Sequence, residues 1–232
     1  MSALAIEGVW KFYGDFPALR DITFNVEPGS CVALLGRNGA GKTTLLKILA
    51  GLSRPAKGQV KLFGQDASER SSRSSIGVLG HGIGIYDELS AIENLKLFAN
   101  LYALPDPERK AREWLERTGL ERVKDGLVRE FSRGMRQRLA VARAFLHDPR
   151  VLLLDEPFTA LDDRAIAVLQ TVLREALAEG RTVLMSTHQL REALELATHV
   201  ALINRGKLAF TGERTREMVE DPGWIYRHYG EA

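Results

Sequence analysis

Hydrophobic positions along the chain follow two periods, which predict strands and helices in turn. Short continuous apolar runs at 31–35, 151–154 and 182–185 are typical of strands that are buried on both faces. Segments 133–146 and 162–179 carry apolar residues every three or four positions and predict amphipathic helices. Because strands alternate with helices, the pattern favours an α/β fold with a largely parallel central sheet.

Two regions depart from that alternation. Patterns at 4–12 and 19–26, on either side of a Tyr13-Gly14-Asp15 turn, predict an N-terminal antiparallel β subdomain. The segment 84–148 is mainly helical, with a capping box at Ser90 and Glu93, and predicts an inserted α-helical subdomain. We expect one domain over 1–232, in which 1–83 and 149–212 form the core, 84–148 the helical subdomain and 213–232 a tail packed as a helix or loop.

The remaining pattern predicts shorter elements. These are a helix at about 42–50, strands at 60–63 and 76–79, an exposed loop or short helix at 67–75, a helix at 189–197 and a hairpin at 200–210.

Composition excludes several classes of protein. Hydrophobic residues make up 45% and charged residues 27%, which is typical of a globular chain. The 32 Lys and Arg nearly balance the 30 Asp and Glu, so there is no broad basic field of the kind that marks a dedicated nucleic-acid binder. One cysteine, Cys31, excludes a disulfide framework and predicts a buried core thiol. No signal peptide and no apolar window of about 20 residues is visible, so we expect a soluble protein that serves a membrane only through a partner.

A glycine-rich segment between the first buried strand and the next helix carries the first candidate chemistry. Residues 36–43 read Gly-Arg-Asn-Gly-Ala-Gly-Lys-Thr, the full pattern of a phosphate-binding loop. Its glycines allow backbone N–H groups to turn around an anion, and the following helix directs its positive end at the phosphates. Lys42 would contact the β- and γ-phosphates, and Thr43 would offer a hydroxyl to Mg²⁺. The candidate nucleotide-binding residues here are Gly36, Asn38, Gly39, Ala40, Gly41, Lys42, Thr43 and Thr44.

Two later strands end in side chains that suit the same chemistry. The run 151–154 leads into Asp155 and Glu156. Asp155 would hold Mg²⁺ or its waters, and Glu156 would accept a proton from an attacking water or orient it. His188 follows the next buried strand, and parallel strands would bring it to the same sheet edge, where it would contact the γ-phosphate.

These motifs, in this order, resemble those of the ATP-binding cassette (ABC) ATPases, which are P-loop NTPases, over about residues 4–212. The resemblance implies that Tyr13 stacks on adenine. Residues 131–138 resemble the signature motif of the family, whose usual form is Leu-Ser-Gly-Gly-Gln. Ser132 and Gly134 keep that form, whereas the residues at 133 and 135 are Arg and Met. Asp162 lies in a segment similar to the loop that crosses to the other subunit.

The resemblance also implies how the chain assembles. In this family the signature motif completes the ATP site of the partner protomer, so one chain supplies two half-sites. The expected assembly is an ATP-dependent head-to-tail homodimer that closes on ATP and opens on hydrolysis. It would power integral-membrane transporter subunits from the cytoplasmic face of the bacterial inner membrane, with ATP and Mg²⁺ as cofactors.

One departure from the family pattern narrows the resemblance. His81 stands where most relatives have a glutamine that touches Mg²⁺ and the attacking water, and imidazole would do either through one nitrogen. The amino-acid sequences of segments 79–95, 155–160 and 187–189 resemble those of the haem-exporter ATPases of cytochrome c maturation, the CcmA type. The alternative is the ATPase of an exporter of drugs, lipids or ions.

Two further classes stay open on the sequence. A soluble ABC ATPase that acts on nucleic acid would use the basic segment 129–143, although such proteins usually carry a coiled coil, zinc cysteines or tandem cassettes. A P-loop kinase would leave Ser132, Gly134 and His188 without a role. We therefore expect no nucleic-acid partner and favour the transport ATPase.

Overall fold

The computed structural model describes residues 1–80 and 84–230. Its strands are β1 Leu4–Tyr13, β2 Phe16–Val26, β3 Cys31–Leu35, β4 Lys57–Leu62, β5 Gln65–Asp66, β6 Ile76–Leu79, β7 Val151–Asp155, β8 Thr182–Ser186, β9 His199–Asn204 and β10 Lys207–Glu213. Its helices are α1 Lys42–Leu49, α2 Ala91–Leu101, α3 Pro107–Arg117, α4 Arg133–Phe145, α5 Asp163–Ala178, α6 Leu190–Leu194, α7 Arg216–Glu220 and α8 Trp224–Tyr229. Short 3₁₀ turns cover Arg70–Ser75, Glu121–Val123 and Val128–Glu130.

A six-stranded sheet in the order β10-β9-β3-β8-β7-β6 forms the centre. Neighbouring strands from β9 to β6 run parallel, and β10 pairs antiparallel with β9 as a hairpin. All residues of β3, β7 and β8 are buried, as their continuous apolar sequences predicted. The predicted α/β fold with a largely parallel central sheet is thereby confirmed.

A second sheet holds the N-terminal strands in the order β2-β1-β4-β5, all antiparallel. Its apolar side chains share a core with the face of the central sheet that α1 covers, through residues such as Leu45, Leu49 and Leu153. The sequence pattern at 4–12 and 19–26 predicted this antiparallel layer.

The chain between β6 and β7 is helical. Helix α2 begins at the predicted capping box, in which the Ser90 hydroxyl accepts the Glu93 N–H and the Glu93 carboxylate accepts the Ser90 N–H. Helix α4 returns from this block to the central sheet, with its last turn near β6. Phe145 near its end packs on Trp114 of α3, with ring centroids 5.1 Å apart. The two largest fully buried side chains therefore join α3 to α4.

The tail, predicted as a terminal helix or loop, forms α7 and α8. Met218 and Ile225 are fully buried in the main core, which fixes both short helices on the body. The aromatic rings of Tyr229 and Phe210 join α8 to β10, with centroids 4.6 Å apart. None of the helices in the described ranges is long and apolar enough to cross a membrane.

Candidate functional site

The glycine-rich loop leaves β3 and enters α1 through backbone conformations that other residues rarely adopt. Gly41 stands at the helix N-cap with φ of +112°. A Cβ at Gly41 would lie 2.7 Å from both the Ala18 carbonyl oxygen and the Leu19 side chain. Gly36, where the loop begins, has φ of +153°, and a Cβ there would lie 2.4 Å from the Ile203 carbonyl oxygen. The pattern therefore has glycine at two positions where the backbone and its neighbours exclude a side chain.

Lys42 turns back into this loop. Its Nζ donates to the Gly36 carbonyl at 2.8 Å and to the Arg37 carbonyl at 3.3 Å, and the residue is buried. Burial lowers the pKa of Lys42, and the nearby carboxylates of Glu156 and Asp155 oppose that shift. The buried Lys42 ammonium group is hydrogen-bonded to backbone carbonyls, and it is placed to exchange these partners for the oxygens of an anion.

The loop is joined directly to the strand-end carboxylates. The Thr43 hydroxyl donates to Asp155 Oδ2 at 2.8 Å, and the Ser186 hydroxyl donates to Asp155 Oδ1. Asp155 is 6% exposed, and its register partner on β8 is Ser186. The parallel sheet thus places a hydroxyl and a carboxylate, both ligands that Mg²⁺ prefers, at one edge.

Glu156 and His188 form a second contact at that edge. Glu156 Oε2 lies 2.7 Å from His188 Nδ1 and accepts the His188 backbone N–H at 3.2 Å. Glu156 adopts the left-handed region, with φ of +55°, while its N–H donates to the Ser186 carbonyl at 3.0 Å. Such a conformation in a non-glycine residue costs about 1–3 kcal/mol and is concentrated at functional sites. The side chain of Glu156 is 11% exposed and that of His188 is 59% exposed, so the pair opens to solvent on the histidine side.

The residues of the signature-like segment and Asp162 lie at the starts of helices α4 and α5, apart from the glycine-rich loop. The Ser132 hydroxyl accepts the Met135 N–H at 3.2 Å as the N-cap of α4, and the residue is exposed. A Cβ at Gly134 would lie 3.2 Å from the Ala160 carbonyl oxygen. Asp162 is exposed and caps α5 by accepting the Ala165 N–H at 2.8 Å. Each hydroxyl or carboxylate caps its own helix, and in the described part of the chain none of these contacts reaches the glycine-rich loop.

The other predicted residues lie as follows. Tyr13 ends β1, is 53% exposed and has the Lys11 ammonium 5.7 Å from its ring centroid. Asn38 and Gly39 are exposed at the loop tip, Ala40 is buried beneath it, and Thr44 is partly buried in α1. His81 lies outside the described residues.

Two contacts at the site involve residues that the sequence reasoning missed. The Ser186 hydroxyl on Asp155 follows from the register of β7 and β8, and its place at a strand end was a usable signal. The hydroxyl of Tyr226 on α8 accepts the Gly36 N–H at 3.0 Å, across 190 positions of sequence. No sequence pattern pointed to that contact, because it depends on how the tail packs.

Comparison with known proteins identifies the family of the chain. The model of the family described as "ABC transporter" matches residues 19–159. The chain is 38% identical over 214 residues to the Nod factor export ATP-binding protein I of Cupriavidus metallidurans, covering 90% of this chain and 71% of that protein. It is also 38% identical to the ABC transporter ATP-binding protein NatA of Bacillus subtilis, covering 84% and 81%.

Solved structures give the same result. An ATP-binding subunit of an ABC transporter superposes with a TM-score of 0.86 at 31% identity, over 99% of this chain and 94% of that one. A dimeric ATP-binding cassette in a post-hydrolysis state, bound to ADP and Pi, superposes with a TM-score of 0.84 at 25% identity, over 91% and 99%. The chain belongs to the ABC transporter family, as an ATP-binding subunit that hydrolyses ATP.

Proposed function

We propose that the edge formed by α1, β7 and β8 is the ATP site and that ATP turnover there powers a membrane exporter. The observation that carries this proposal is the Thr43–Asp155 hydrogen bond of 2.8 Å, which joins the phosphate loop to the strand-end acids. A glycine-rich turn alone would bind an anion, but a turn joined to a buried carboxylate suits a nucleotide with its metal.

In this proposal Lys42 releases the Gly36 and Arg37 carbonyls and binds the β- and γ-phosphates of ATP. Thr43 and Asp155 supply the hydroxyl and carboxylate that suit Mg²⁺, and His81 is a further candidate from the sequence. When bound there, Mg²⁺ would neutralise charge on the phosphate oxygens. Tyr13, Asn38, Gly39, Ala40, Gly41 and Thr44 complete the proposed nucleotide-binding set.

Glu156 is the proposed proton acceptor for the attacking water. The contact with His188 Nδ1 holds one carboxylate oxygen at 2.7 Å, and in this proposal the other oxygen accepts the proton of the water. His188 in turn would present its remaining ring nitrogen to the γ-phosphate. The Ser186–Asp155–Thr43 chain of hydrogen bonds, which runs from buried Ser186 to exposed Thr43, would keep the strand end in register while Glu156 acts.

The proposed active form is a head-to-tail homodimer. Exposed Ser132 and partly buried Gly134 lie at the start of α4, where a helix N-terminus attracts a phosphate. Among the described residues the Ser132 hydroxyl bonds only within α4 and does not reach the phosphate loop, so the ATP that these residues bind would be held by a second copy. Asp162, exposed at the start of α5, would lie at the same interface. The structural relative in its ADP-bound and Pi-bound state is dimeric, which supports this arrangement.

Hydrolysis assays on the purified chain test the ATP site. Wild-type protein should hydrolyse ATP only with Mg²⁺, and Asp155→Asn should raise the Mg²⁺ concentration needed for half-maximal rate. Ser186→Ala, which removes only the hydroxyl that supports Asp155, serves as the milder matched variant. An unchanged Mg²⁺ requirement in Asp155→Asn would contradict the proposed metal site.

For the cargo, we propose the haem-export branch of cytochrome c maturation. The support comes from the sequence: the segment around His81 and the segments 155–160 and 187–189 resemble those of that branch. Membrane subunits and location on the cytoplasmic face of the inner membrane belong to the same proposal. The name of the Nod factor export relative favours a second candidate, an exporter of another cargo.

Cytochrome content separates the two cargoes. In the native host, replacement of the chain by Glu156→Gln should abolish c-type cytochromes and leave b-type cytochromes at their wild-type level. Wild-type protein expressed from the same promoter is the control. If c-type cytochromes persist while the purified variant is inactive, the haem assignment is wrong and export of another cargo is supported.

A further inference from the structure

The hydroxyl of Tyr226 reaches the phosphate loop from the opposite end of the sequence. The Gly36 N–H, the first of the loop, donates to Tyr226 Oη at 3.0 Å. The Gly36 carbonyl accepts Lys42 Nζ at 2.8 Å. A single residue of the loop therefore joins a tail side chain to the lysine that faces the phosphates.

Strand β9 and the turn that follows it hold Gly36 and the rest of the loop in place. The Gly36 Cα lies against the end of β9, where a Cβ would approach the Ile203 carbonyl to 2.4 Å. Further along the loop, the N–H of Gly206 in the turn between β9 and β10 donates to the Ala40 carbonyl at 3.0 Å. Since β9 and its hairpin turn fix the loop from one side and Tyr226 fixes it from another, a displacement of α8 would move the loop or cost a hydrogen bond.

The tail that carries Tyr226 is itself a packed unit. Ile225, its neighbour, is 1% exposed, and the Asn204 side chain donates to the Gly230 carbonyl at 2.9 Å just after α8 ends. Tyr229 packs on Phe210 of β10. The position of Tyr226 is thus set by the same hairpin, β9–β10, that supports the loop.

The chemistry of the phenol suits a fixed acceptor. Burial raises the pKa of Tyr226, and the Glu156 carboxylate adds to the rise, while the Gly36 N–H and Arg37 oppose it. The hydroxyl stays protonated and neutral at physiological pH, so it accepts the N–H without placing a negative charge beside the phosphates.

We propose that Tyr226 is a positioning residue for ATP, which couples the C-terminal helix α8 to the phosphate loop through Gly36. Without the hydroxyl the loop would sample conformations in which Lys42 is misplaced. ATP would then bind only the fraction of molecules whose loop holds Lys42 in place, which weakens the apparent affinity. The inference rests on the proposed role of the phosphate loop and assigns a function to the tail, for which the sequence had mainly indicated packing on the body.

The test compares Tyr226→Phe with Tyr229→Phe in the full chain. Both substitutions remove one phenol hydroxyl from α8, but only the first hydroxyl contacts Gly36 in the structure. Loss of one hydrogen bond predicts that Tyr226→Phe raises KM for MgATP by about two- to tenfold, with kcat changed less than KM. Hydrogen exchange at the amides of residues 36–42 should become faster in Tyr226→Phe, while Tyr229→Phe should match wild type in both measurements.

The outcomes separate the inference from the function beneath it. Equal KM and equal exchange in Tyr226→Phe, Tyr229→Phe and wild type would overturn the coupling. A lower melting temperature in Tyr226→Phe with unchanged KM would also overturn it, because it would show packing alone. If Lys42→Ala retains wild-type turnover, the proposed phosphate site fails instead, whatever Tyr226→Phe does.

Discussion

The two halves of the proposed ATP site are built in opposite ways. The phosphate half lies at the ends of the fully buried parallel strands β3, β7 and β8, where Lys42, Thr43 and Asp155 already bond to one another or to the loop. The signature half, Ser132 and Gly134, lies at the start of α4, where Gly134 is partly buried and Ser132 is exposed; among the described contacts the serine hydroxyl bonds only to its own helix. The phosphate half is organised by contacts within one chain, whereas the signature half presents the Ser132 hydroxyl to solvent.

In the proposed dimer, this difference gives the second copy its role. Because Lys42, Thr43 and Asp155 are already held in place within one chain, we expect the phosphate half to bind ATP as a monomer. The signature half uses its serine as a helix cap and leaves that serine exposed, which suits a ligand presented by another molecule. The variants below act on one half or the other.

Removal of the proposed base should give the largest effect. Glu156→Gln keeps the size of the side chain and its place beside His188 but cannot accept a proton. We expect turnover to fall by about 10²–10⁴-fold while ATP still binds. Single-turnover hydrolysis and equilibrium ATP binding measure the two properties separately. Turnover within a fewfold of wild type would contradict the assignment of Glu156.

A smaller loss should follow from Ser132→Ala in the signature half. Removal of a hydrogen bond to a charged phosphate is expected to lower turnover by about tenfold, with ATP binding to the monomer unchanged. The loss of the N-cap should also reduce the free energy of unfolding by about 1 kcal/mol.

Ser90→Ala is the matched control for that variant, because Ser90 caps α2 in the same helical block. It should show a comparable loss of stability, measured by urea unfolding, and wild-type turnover. If both serine variants lose stability alike and neither loses turnover, Ser132 is a helix cap and nothing more.

The smallest expected effect concerns pH and the far end of α4. His147 stacks on Tyr102 with ring centroids 3.9 Å apart, and its Nε2 lies 3.1 Å from the Ile76 carbonyl. Burial lowers the pKa of His147, so between that lowered value and the unfolded value near 6.5 the unfolded chain binds more protons. Stability should therefore be full above about pH 6.5 and should fall as the solution is acidified below it.

His147→Phe keeps a ring against Tyr102 and cannot titrate. Urea unfolding between pH 7 and pH 5 should show a shallower loss of stability in His147→Phe than in wild type. Parallel curves for the two proteins would show that another group carries the acid sensitivity. This comparison also separates acid unfolding from any pH effect on the chemistry of the phosphate half.

The fold and much of the phosphate half could be predicted because they depend on local pattern. Apolar strands, glycine spacing and strand-end acids placed β3, Lys42 and Asp155 correctly in the sheet and loop. The predicted strand at 60–63 instead spans Lys57–Leu62, because β1 pairs with polar residues such as Lys57 and Gln59 that carry no apolar signal. The predicted helix at 189–197 contracts to Leu190–Leu194 for a related reason, as its last residues turn into β9.

Contacts between distant segments escaped the sequence. Tyr226 lies in a short aromatic helix whose pattern indicates packing, and nothing in it names Gly36 as the partner. Glu156 could be assigned as a strand-end acid, yet its left-handed backbone and its contact with His188 depend on the β7–β8 register. Tertiary placement decides such contacts, whereas periodicity decides the elements that carry them.

The measurement that tests the central claim most directly is the mass of Glu156→Gln in solution with saturating MgATP. Two complementary half-sites on one chain predict a particle of twice the chain's 25.8 kDa, and predict that Ser132→Arg in the same background keeps it at the single-chain mass. A protein that stays monomeric with ATP bound, or a dimer that Ser132→Arg leaves intact, would contradict the composite site.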